Sequence, residues 1–595
     1  MPVVVLTVLA AALYAWGLSR GAPHYYYSAA MRSMSESWHA FFFGAFDPSG
    51  FVTTDKLPGS LWVHALFVRV FGTQSWVFLL PEVLAASASV PLLFGAVRRW
   101  AGARAGFAAA VIFLCTPVVF ATAQVNIPDT LLMCAVVAAA YALVRALEHP
   151  GWRWLVLSAV LVGVGFQVKM LQALLVLPAF CLTYLFFAAA APRVRLVRAV
   201  VYGALSVLVS LSWMTVVSLV PAGARPQVDG SASNSLWDMV FVYNGVSRGG
   251  QGGVAGLFGG EPGATRLVNE QSGGQIGWLL PLAVVLLVAG LLRARTRSDR
   301  AGWLLWGGWL VLGGAVLSLL GGMHPYYTAI LAPAVAAVAG TGLVRAFADW
   351  RARRPAGWLL PAGVLLTAGW ALVLLTRQRA GLGWLPPLIA VAAVLAVGLL
   401  LVLRVSRDGR RAIAMAAVFT AAVALFAGPA TWLVSTPRID GHSTRVVDPV
   451  AGPPQVQAAG ARRSGGTLPV VNQDLLDYLL AHHGKERFLF AAGESSTAAP
   501  YLGDGRNVLP LRGFTENSPS IPVDELSRLV AAGELRYVLM INLPGMTGQA
   551  LQRADWIHAH CATVPRPAYQ PTAVPGRWDP TLYDCVPGAH PSPAS

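Results

Sequence analysis

Charge is scarce in this chain. Only 12% of its 595 residues are Asp, Glu, Lys or Arg, roughly half the share of an ordinary soluble domain, while 56% are apolar, which excludes a soluble globular protein. Lysine is scarcer still, with three in the whole chain (Lys56, Lys169 and Lys485). A net charge of +16 would otherwise suggest nucleic acid, but no Lys/aromatic surface can be built from three lysines. Residues 1–436 hold 30 of the 43 basic and 13 of the 27 acidic side chains, so the excess charge lies in the apolar part and not on a basic tail. Nucleic acid is excluded as a partner.

Motifs are missing too. HExxH, paired CxxC, a Walker loop and a GxSxG elbow are all absent, and His482-His483 is an isolated pair. No metal site is expected. There are five cysteines: Cys115, Cys134 and Cys181 lie in apolar stretches, whereas Cys561 and Cys585 lie in the polar C-terminal region and are the disulfide candidate.

What the chain has in plenty is apolar runs of about 20 residues, the length a helix needs to cross a bilayer while satisfying its own backbone. Thirteen spans are predicted, near 3–19, 75–97, 105–122, 130–147, 154–171, 172–190, 199–220, 277–293, 302–321, 326–344, 357–375, 384–403 and 412–434. Arginines cluster on every second connection, as at Arg98, Arg99 and Arg104 or Arg351, Arg353 and Arg354. The positive-inside rule then puts the N-terminus in the cytoplasm, and the loops 20–74 and 221–276 with the C-terminal region outside, in a multi-pass plasma-membrane protein. The expected layout is a transmembrane domain over 1–436, a linker over 437–466 and a small extracytoplasmic α/β domain over 467–595. In that domain 488–492 and 537–541 read as buried strands and 522–532 as a helix.

Chemistry is sought among polar residues that the cytoplasmic loops do not use, because such groups are costly near a membrane. The first outer loop carries Tyr25-Tyr26-Tyr27, Phe46-Asp47-Pro48-Ser49-Gly50-Phe51 and Thr54-Asp55-Lys56-Leu57-Pro58, in aromatic stretches expected to lie along the membrane surface. Asp129 begins a span, where it caps the helix and complements its dipole; that is compatible with catalysis. Lys169 lies at the outer end of a span, and His324-Pro325-Tyr326-Tyr327 occupies a turn between two spans. A snorkelling or belt role accounts for each alone. Two of three lysines at the outer boundary instead suggest point charges for a phosphate. The loop 221–276, with Tyr243-Asn244-Gly245, is long enough to cover a site. Lysines that handle phosphate, with no nucleotide-binding loop and outside the cell, point to a lipid-linked phosphate substrate.

These features together resemble the GT-C superfamily of glycosyltransferases, in the family 39 branch of protein O-mannosyltransferase-like and aminoarabinose-transferase-like enzymes, and within it a bacterial polyprenyl-phosphate-mannose-dependent subgroup. The resemblance runs nearly the whole length. It rests on Ser37 to Phe43, Phe46 to Val52, the Asp55-Lys56-x-Pro58 motif, Lys169-Met170-Leu171-Gln172, Tyr243-Asn244-Gly245, His324-Pro325-Tyr326-Tyr327 and Arg512-Gly513-Phe514.

It implies a GT-C fold of about 13 transmembrane helices with an outer α/β domain. The implied reaction moves a sugar, mannose or another hexose, from a polyprenyl-phosphate donor to an acceptor hydroxyl on the outer face, with inversion and without a metal or other cofactor. Lys56 matches the family lysine that contacts the lipid phosphate, with Lys169 and His324 as further phosphate-side candidates. Asp55 and Asp129 fall where the family keeps acids near the acceptor, and Asp47 is a third catalytic candidate; Tyr26, Tyr243, Asn244, Tyr326 and Tyr327 are substrate-binding candidates.

One departure stands out: the acidic pair that the mannosyltransferases carry at the start of this loop is replaced by Pro23-His24-Tyr25-Tyr26. The expected partners are the lipid-linked sugar, membrane lipids, and an acceptor that is a protein, glycan, lipid or secreted peptide. The alternatives are a lipid-linked sugar flippase or transporter, whose polar residues would sit mid-span, and an inactive wall-binding sensor.

Overall fold

The computed structural model describes residues 2–21, 23–149, 151–247, 258–378, 381–405, 410–436, 448–456, 470–515, 521–540, 548–570 and 580–586. The chain forms two compact units. The first is built from Met1–Ala22, Leu79–Leu211 and Ser247–Thr467, the second from Pro23–Phe78, Ser212–Val246 and Leu468–Ser595.

Among the described residues nine helical runs are long and apolar enough to cross a membrane: Ser75–Ala101, Asp129–Glu148, Trp152–Phe187, Pro192–Ser218, Arg297–Leu319, Pro325–Arg351, Pro355–Arg377, Leu385–Val405 and Arg411–Val434. The bent pair Ala103–Leu114 and Pro117–Ala123 adds a tenth. The run Trp152–Phe187 spans 36 residues, well beyond the roughly 20 that one crossing needs, and it breaks at Met170 into a short 3₁₀ segment. The expected first and eighth spans are shorter apolar helices, Pro2–Ala15 and Leu280–Arg293. The chain is a polytopic α-helical membrane protein.

Small residues let the helices of the first unit approach closely. A Cβ on Gly340 would lie 2.6 Å from the backbone nitrogen of Ala109, so Ala332–Arg351 and Ala103–Leu114 meet backbone to backbone. Trp303, Trp306, Trp309 and Trp350 fill the interior elsewhere. The arginine-rich ends are tied by ion pairs, Arg99 with Glu148 at 2.7 Å and Arg345 with Asp299 at 2.6 Å. The segment expected as a linker is partly built into this unit. Ala451 exchanges hydrogen bonds with the Gln275 amide through its N–H (2.8 Å) and its carbonyl (2.9 Å), and the Ala451 side chain is fully buried.

The second unit contains a five-stranded sheet in the order β2-β1-β3-β5-β4. Its strands are β1 (Phe490–Ala492), β2 (Val508–Pro510), β3 (Tyr537–Met540), β4 (Ala562–Thr563) and β5 (Thr581–Asp584). β1 runs parallel to both β2 and β3, and β5 is antiparallel to β3 and β4. The predicted strands and helix are found, trimmed to 490–492, 537–540 and Val523–Ala531; residue 541 lies outside the described residues. Cys561 and Cys585 form a disulfide.

The first helix of the long loop 20–74 turns its apolar face to protein, while Trp38, Phe42, Val70 and Phe71 further along the loop are exposed. The helix Tyr25–Glu36 buries Tyr26, Ala29, Ala30, Met31 and Met34 in one core with Leu475, Leu479, Phe490, Ala498 and Tyr501 of the α/β domain. The apolar stripe that resembles a membrane-lying helix is a packing face, because a one-sided apolar pattern records only that this side avoids water and not what covers it.

Candidate functional site

The helix Trp152–Lys169 ends at Lys169, because Met170 takes φ 48°, a left-handed conformation that costs an unbranched side chain of order 1–3 kcal/mol. That break leaves Lys169 on the last helical turn. Asp129 occupies the first turn of Asp129–Glu148, where its charge complements the helix dipole. The two meet as a buried ion pair of 2.5 Å, with 7% and 1% side-chain exposure. The ammonium also stands over aromatic faces, 3.9 Å from the ring centroid of Tyr327 and 5.1 Å from that of Tyr326. The Gln172 amide donates to the Tyr327 carbonyl and holds that turn.

His324 lies beside both tyrosine rings, at centroid distances of 5.3 and 5.2 Å. Its Nδ1 is 2.8 Å from each carboxylate oxygen of Asp448, an arrangement that fixes the ring and leaves Nε2 to act elsewhere. Asp448, 6% exposed, is the residue that sequence reasoning missed. It stands in the expected linker, 124 positions from His324. The first unit thus links Asp129, Lys169, Tyr326, Tyr327, His324 and Asp448 in one run of contacts, with Asp448 at its end beyond His324.

The second unit holds a separate pair. Lys56 Nζ donates to Asp55 Oδ2 at 2.7 Å and to Asn244 Oδ1 at 3.3 Å. The Asn244 amide in turn donates to the backbone carbonyls of Asp55 (2.8 Å) and Met239 (2.9 Å), locking the 238–246 π-helical segment onto the first loop. Asp55 is 4% exposed, so the pair is desolvated and its geometry firm. Tyr243 lays its ring on Gly230, where a Cβ would come within 2.9 Å of it.

Two further candidates are held inside the second unit. Asp47 is 1% exposed, and its Oδ2 accepts from the backbone N–H groups of Phe51 (3.0 Å) and Val52 (3.1 Å). It closes a turn whose Gly50 sits at φ +75°, a position that suits glycine. Burial pushes its carboxyl up to about 6, against the pull of those N–H donors. That position explains Asp47 as a turn-holding group.

Tyr26 is equally buried. It stacks on Phe46 at 4.8 Å and its hydroxyl donates to Asp229 Oδ2 at 3.4 Å. Asp229 accepts as well from the Phe514 and Thr515 N–H groups and the Thr515 hydroxyl, at 2.6, 3.2 and 2.9 Å. The Arg512-Gly513-Phe514 stretch therefore requires glycine at its centre: a Cβ there would lie 2.4 Å from the Asp229 Cγ.

Arg266, in the second outer loop, is 1% exposed and donates to the carbonyls of Leu317, Leu320 and Gly321, which covers the C-terminal end of Arg297–Leu319. Among the described residues no group of three or more His, Cys, Asp or Glu side chains is placed to hold a metal.

Comparison with known proteins agrees with this layout. The family described as Dolichyl-phosphate-mannose-protein mannosyltransferase matches residues 55–217, a stretch that contains both lysine–aspartate pairs. The family described as Putative mannosyltransferase YkcB-like, C-terminal, matches residues 475–560. Two Bacillus subtilis (strain 168) proteins are each 30% identical: Putative mannosyltransferase YkcB, over 86% of this chain and 85% of its own length, and Putative mannosyltransferase YycA, over 87% of each. Crystal structures of ArnT from Cupriavidus metallidurans, apo and bound to undecaprenyl phosphate, superpose with TM-scores of 0.54 and 0.53 at 17% identity, covering 98% of both chains. With spans, α/β domain and relatives in agreement, the chain belongs to the YkcB-like mannosyltransferases, membrane glycosyltransferases of the GT-C fold.

Proposed function

We propose that the protein transfers a sugar, mannose by kinship, from a polyprenyl-phosphate carrier to an acceptor hydroxyl on the outer face of the plasma membrane, with inversion and without a metal. The observation that carries this reading is two lysines drawn out of water against aspartates: Lys169 buried with Asp129, and Lys56, 12% exposed, with Asp55. A buried ammonium is costly, and replacing such pairs by apolar residues often stabilises a fold, so stability alone does not account for them. Their chemistry suits the reaction.

The acceptor oxygen attacks the anomeric carbon as the bond from that carbon to the phosphate oxygen breaks, and the sugar takes on oxocarbenium character between them. The leaving polyprenyl phosphate gains one negative charge, and the acceptor loses a proton. A lysine opposes the first change, and a carboxylate takes up the second. Lys56 and Lys169 are the phosphate-side candidates, and Asp55 and Asp129 the candidates for the base that the Pro23-His24-Tyr25-Tyr26 stretch does not supply. The ArnT structure with undecaprenyl phosphate supports a lipid phosphate as the leaving group. The clustered arginines support a cytoplasmic N-terminus.

The test is incubation of the detergent-purified protein with polyprenyl-phosphate mannose and cell-envelope acceptors, scoring released polyprenyl phosphate with and without EDTA. Lys56→Ala and Lys169→Ala should each lower the rate by about 10²–10³, the usual cost of removing one donor to a developing charge. Full activity in both variants, or loss of activity in EDTA, would sink this mechanism.

A further inference from the structure

In the outer domain, β1 and β3 are parallel neighbours whose onward connections part. β1 leads through the helix Ser495–Gly503 to β2 on one side, while the next element after β3 is the helix Gly548–His560, which leads to β4 on the other. Where adjacent parallel strands diverge in this way, a crevice opens beyond their carboxyl ends, and open α/β sheets bind their ligands there.

A cavity of about 80 Å³ occupies this place, between Gly493 and Glu494 after β1, Arg512 after β2, Met540 at the end of β3, and Arg553 on the helix beyond. That is room for several water-sized groups, hence for one small charged group with its neighbours.

Among the described residues the charges lining it do not cancel. Arg512 is paired with Glu494 at 2.8 Å. Arg553 is 5% exposed and donates through Nη1 to the Ile521 carbonyl, which leaves its positive charge uncompensated by that neutral acceptor. Burial, with the nearby Arg512 guanidinium adding to it, holds Arg553 down at about 10. Folding has placed a guanidinium in a cavity it disfavours, next to a second one. An oxyanion in the cavity would relieve both, and the fork of Arg553 suits a carboxylate or a phosphate.

We infer that this crevice is a binding site of its own, for a small ligand bearing one oxyanion, carboxylate or phosphate, seated against Arg553. The inference rests on the outer domain alone and not on the transfer reaction.

The test uses the full-length protein in detergent, titrated at constant ionic strength with D-glucuronate, inorganic phosphate and, as a neutral control, D-glucose, with binding read by calorimetry and by the melting temperature. Saturable binding of glucuronate or phosphate, absent with glucose, is expected; whichever of the two binds identifies the anion. Arg553→Met should weaken it at least tenfold. Ala550→Phe, which fills the cavity from the same helix and keeps both arginines, should do the same and decides the matter if the first variant does not fold. Binding no stronger than that of glucose, or equal binding by wild type and Ala550→Phe, would overturn the inference.

Discussion

Asp47→Asn should make the protein more stable at neutral pH, by an amount that shrinks as the pH falls toward 4. The carboxyl is buried and its proton affinity is raised from 3.8 to about 6. A raised carboxyl means that the folded state holds the proton more tightly than the unfolded chain does. Stability from this group is thus fully present below about pH 4 and is lost as pH rises through 6. A shift of that size corresponds to roughly 3 kcal/mol of penalty at pH 7.5.

Asparagine removes the charge and keeps a carbonyl oxygen for the Phe51 and Val52 N–H donors, whose pull on the charged form is already contained in the value of about 6. The net gain is then roughly 3 kcal/mol at neutral pH. The assay is thermal unfolding in detergent, wild type against variant, from pH 4.5 to 7.5. The difference in melting temperature should be smallest at pH 4.5, where about 1 kcal/mol of the penalty is present, and grow through pH 6 to its full size, at ~2–4 °C per kcal/mol for a unit of this size. A difference that does not change with pH would refute the burial argument. Transfer activity that vanishes in Asp47→Asn at unchanged stability would show Asp47 to be a reacting group after all.

Gly513→Ala drives a Cβ into Asp229 and should destabilise by about 1–3 kcal/mol, as overpacking usually does; proteolysis within 470–515 at native temperature would report it, and an unchanged digestion rate would contradict the contact. Asp448→Asn releases one of the two carboxylate contacts to His324 Nδ1, and the loosened ring should cost one to two orders of magnitude in kcat/KM, about what a small misplacement costs; wild-type kinetics would show that His324 takes no part. Replacing Cys561 and Cys585 together by alanine opens a loop of 24 residues and should lower stability by roughly 3 kcal/mol. A melting temperature equal to that of wild type would refute that estimate.

The spans were legible because a bilayer imposes length and apolarity on each segment independently. The α/β character of the outer domain was legible from Phe488 to Ala492 and Tyr537 to Met540, whose apolar runs are long enough to stand out. β2, β4 and β5 were not: β2 ends in a proline, β4 has two residues, and β5 begins and ends on a polar residue, Thr581 and Asp584.

The lysine pairs were half legible. Scarcity drew attention to Lys56 and Lys169, and the adjacent Asp55 was evident, whereas Asp129 became a partner only when a helix of 20 residues returned it to Lys169. Asp448 was hidden by its surroundings, since proline, glycine and alanine read as linker whether or not the segment is buried. What holds Asp47 and Tyr26 was not legible either: Asp47 serves the Phe51 and Val52 N–H groups of its own turn and Tyr26 a buried core beside Asp229, contacts that a polar residue in a loop does not announce.

The shared core of the first loop and the outer domain has a consequence in time. Arg32 donates to the carbonyl of Gly503, 471 residues further along the chain, and Tyr26, Met31 and Met34 lean on strands and helices made just as late. At about 5–20 residues per second of synthesis, the loop waits for tens of seconds, its apolar face uncovered, while the spans between are inserted. The C-terminal domain is therefore the last-made half of a core whose first half was made early, and a chain that stops at residue 436 would lose the folded first loop, with Lys56 on it, along with the domain.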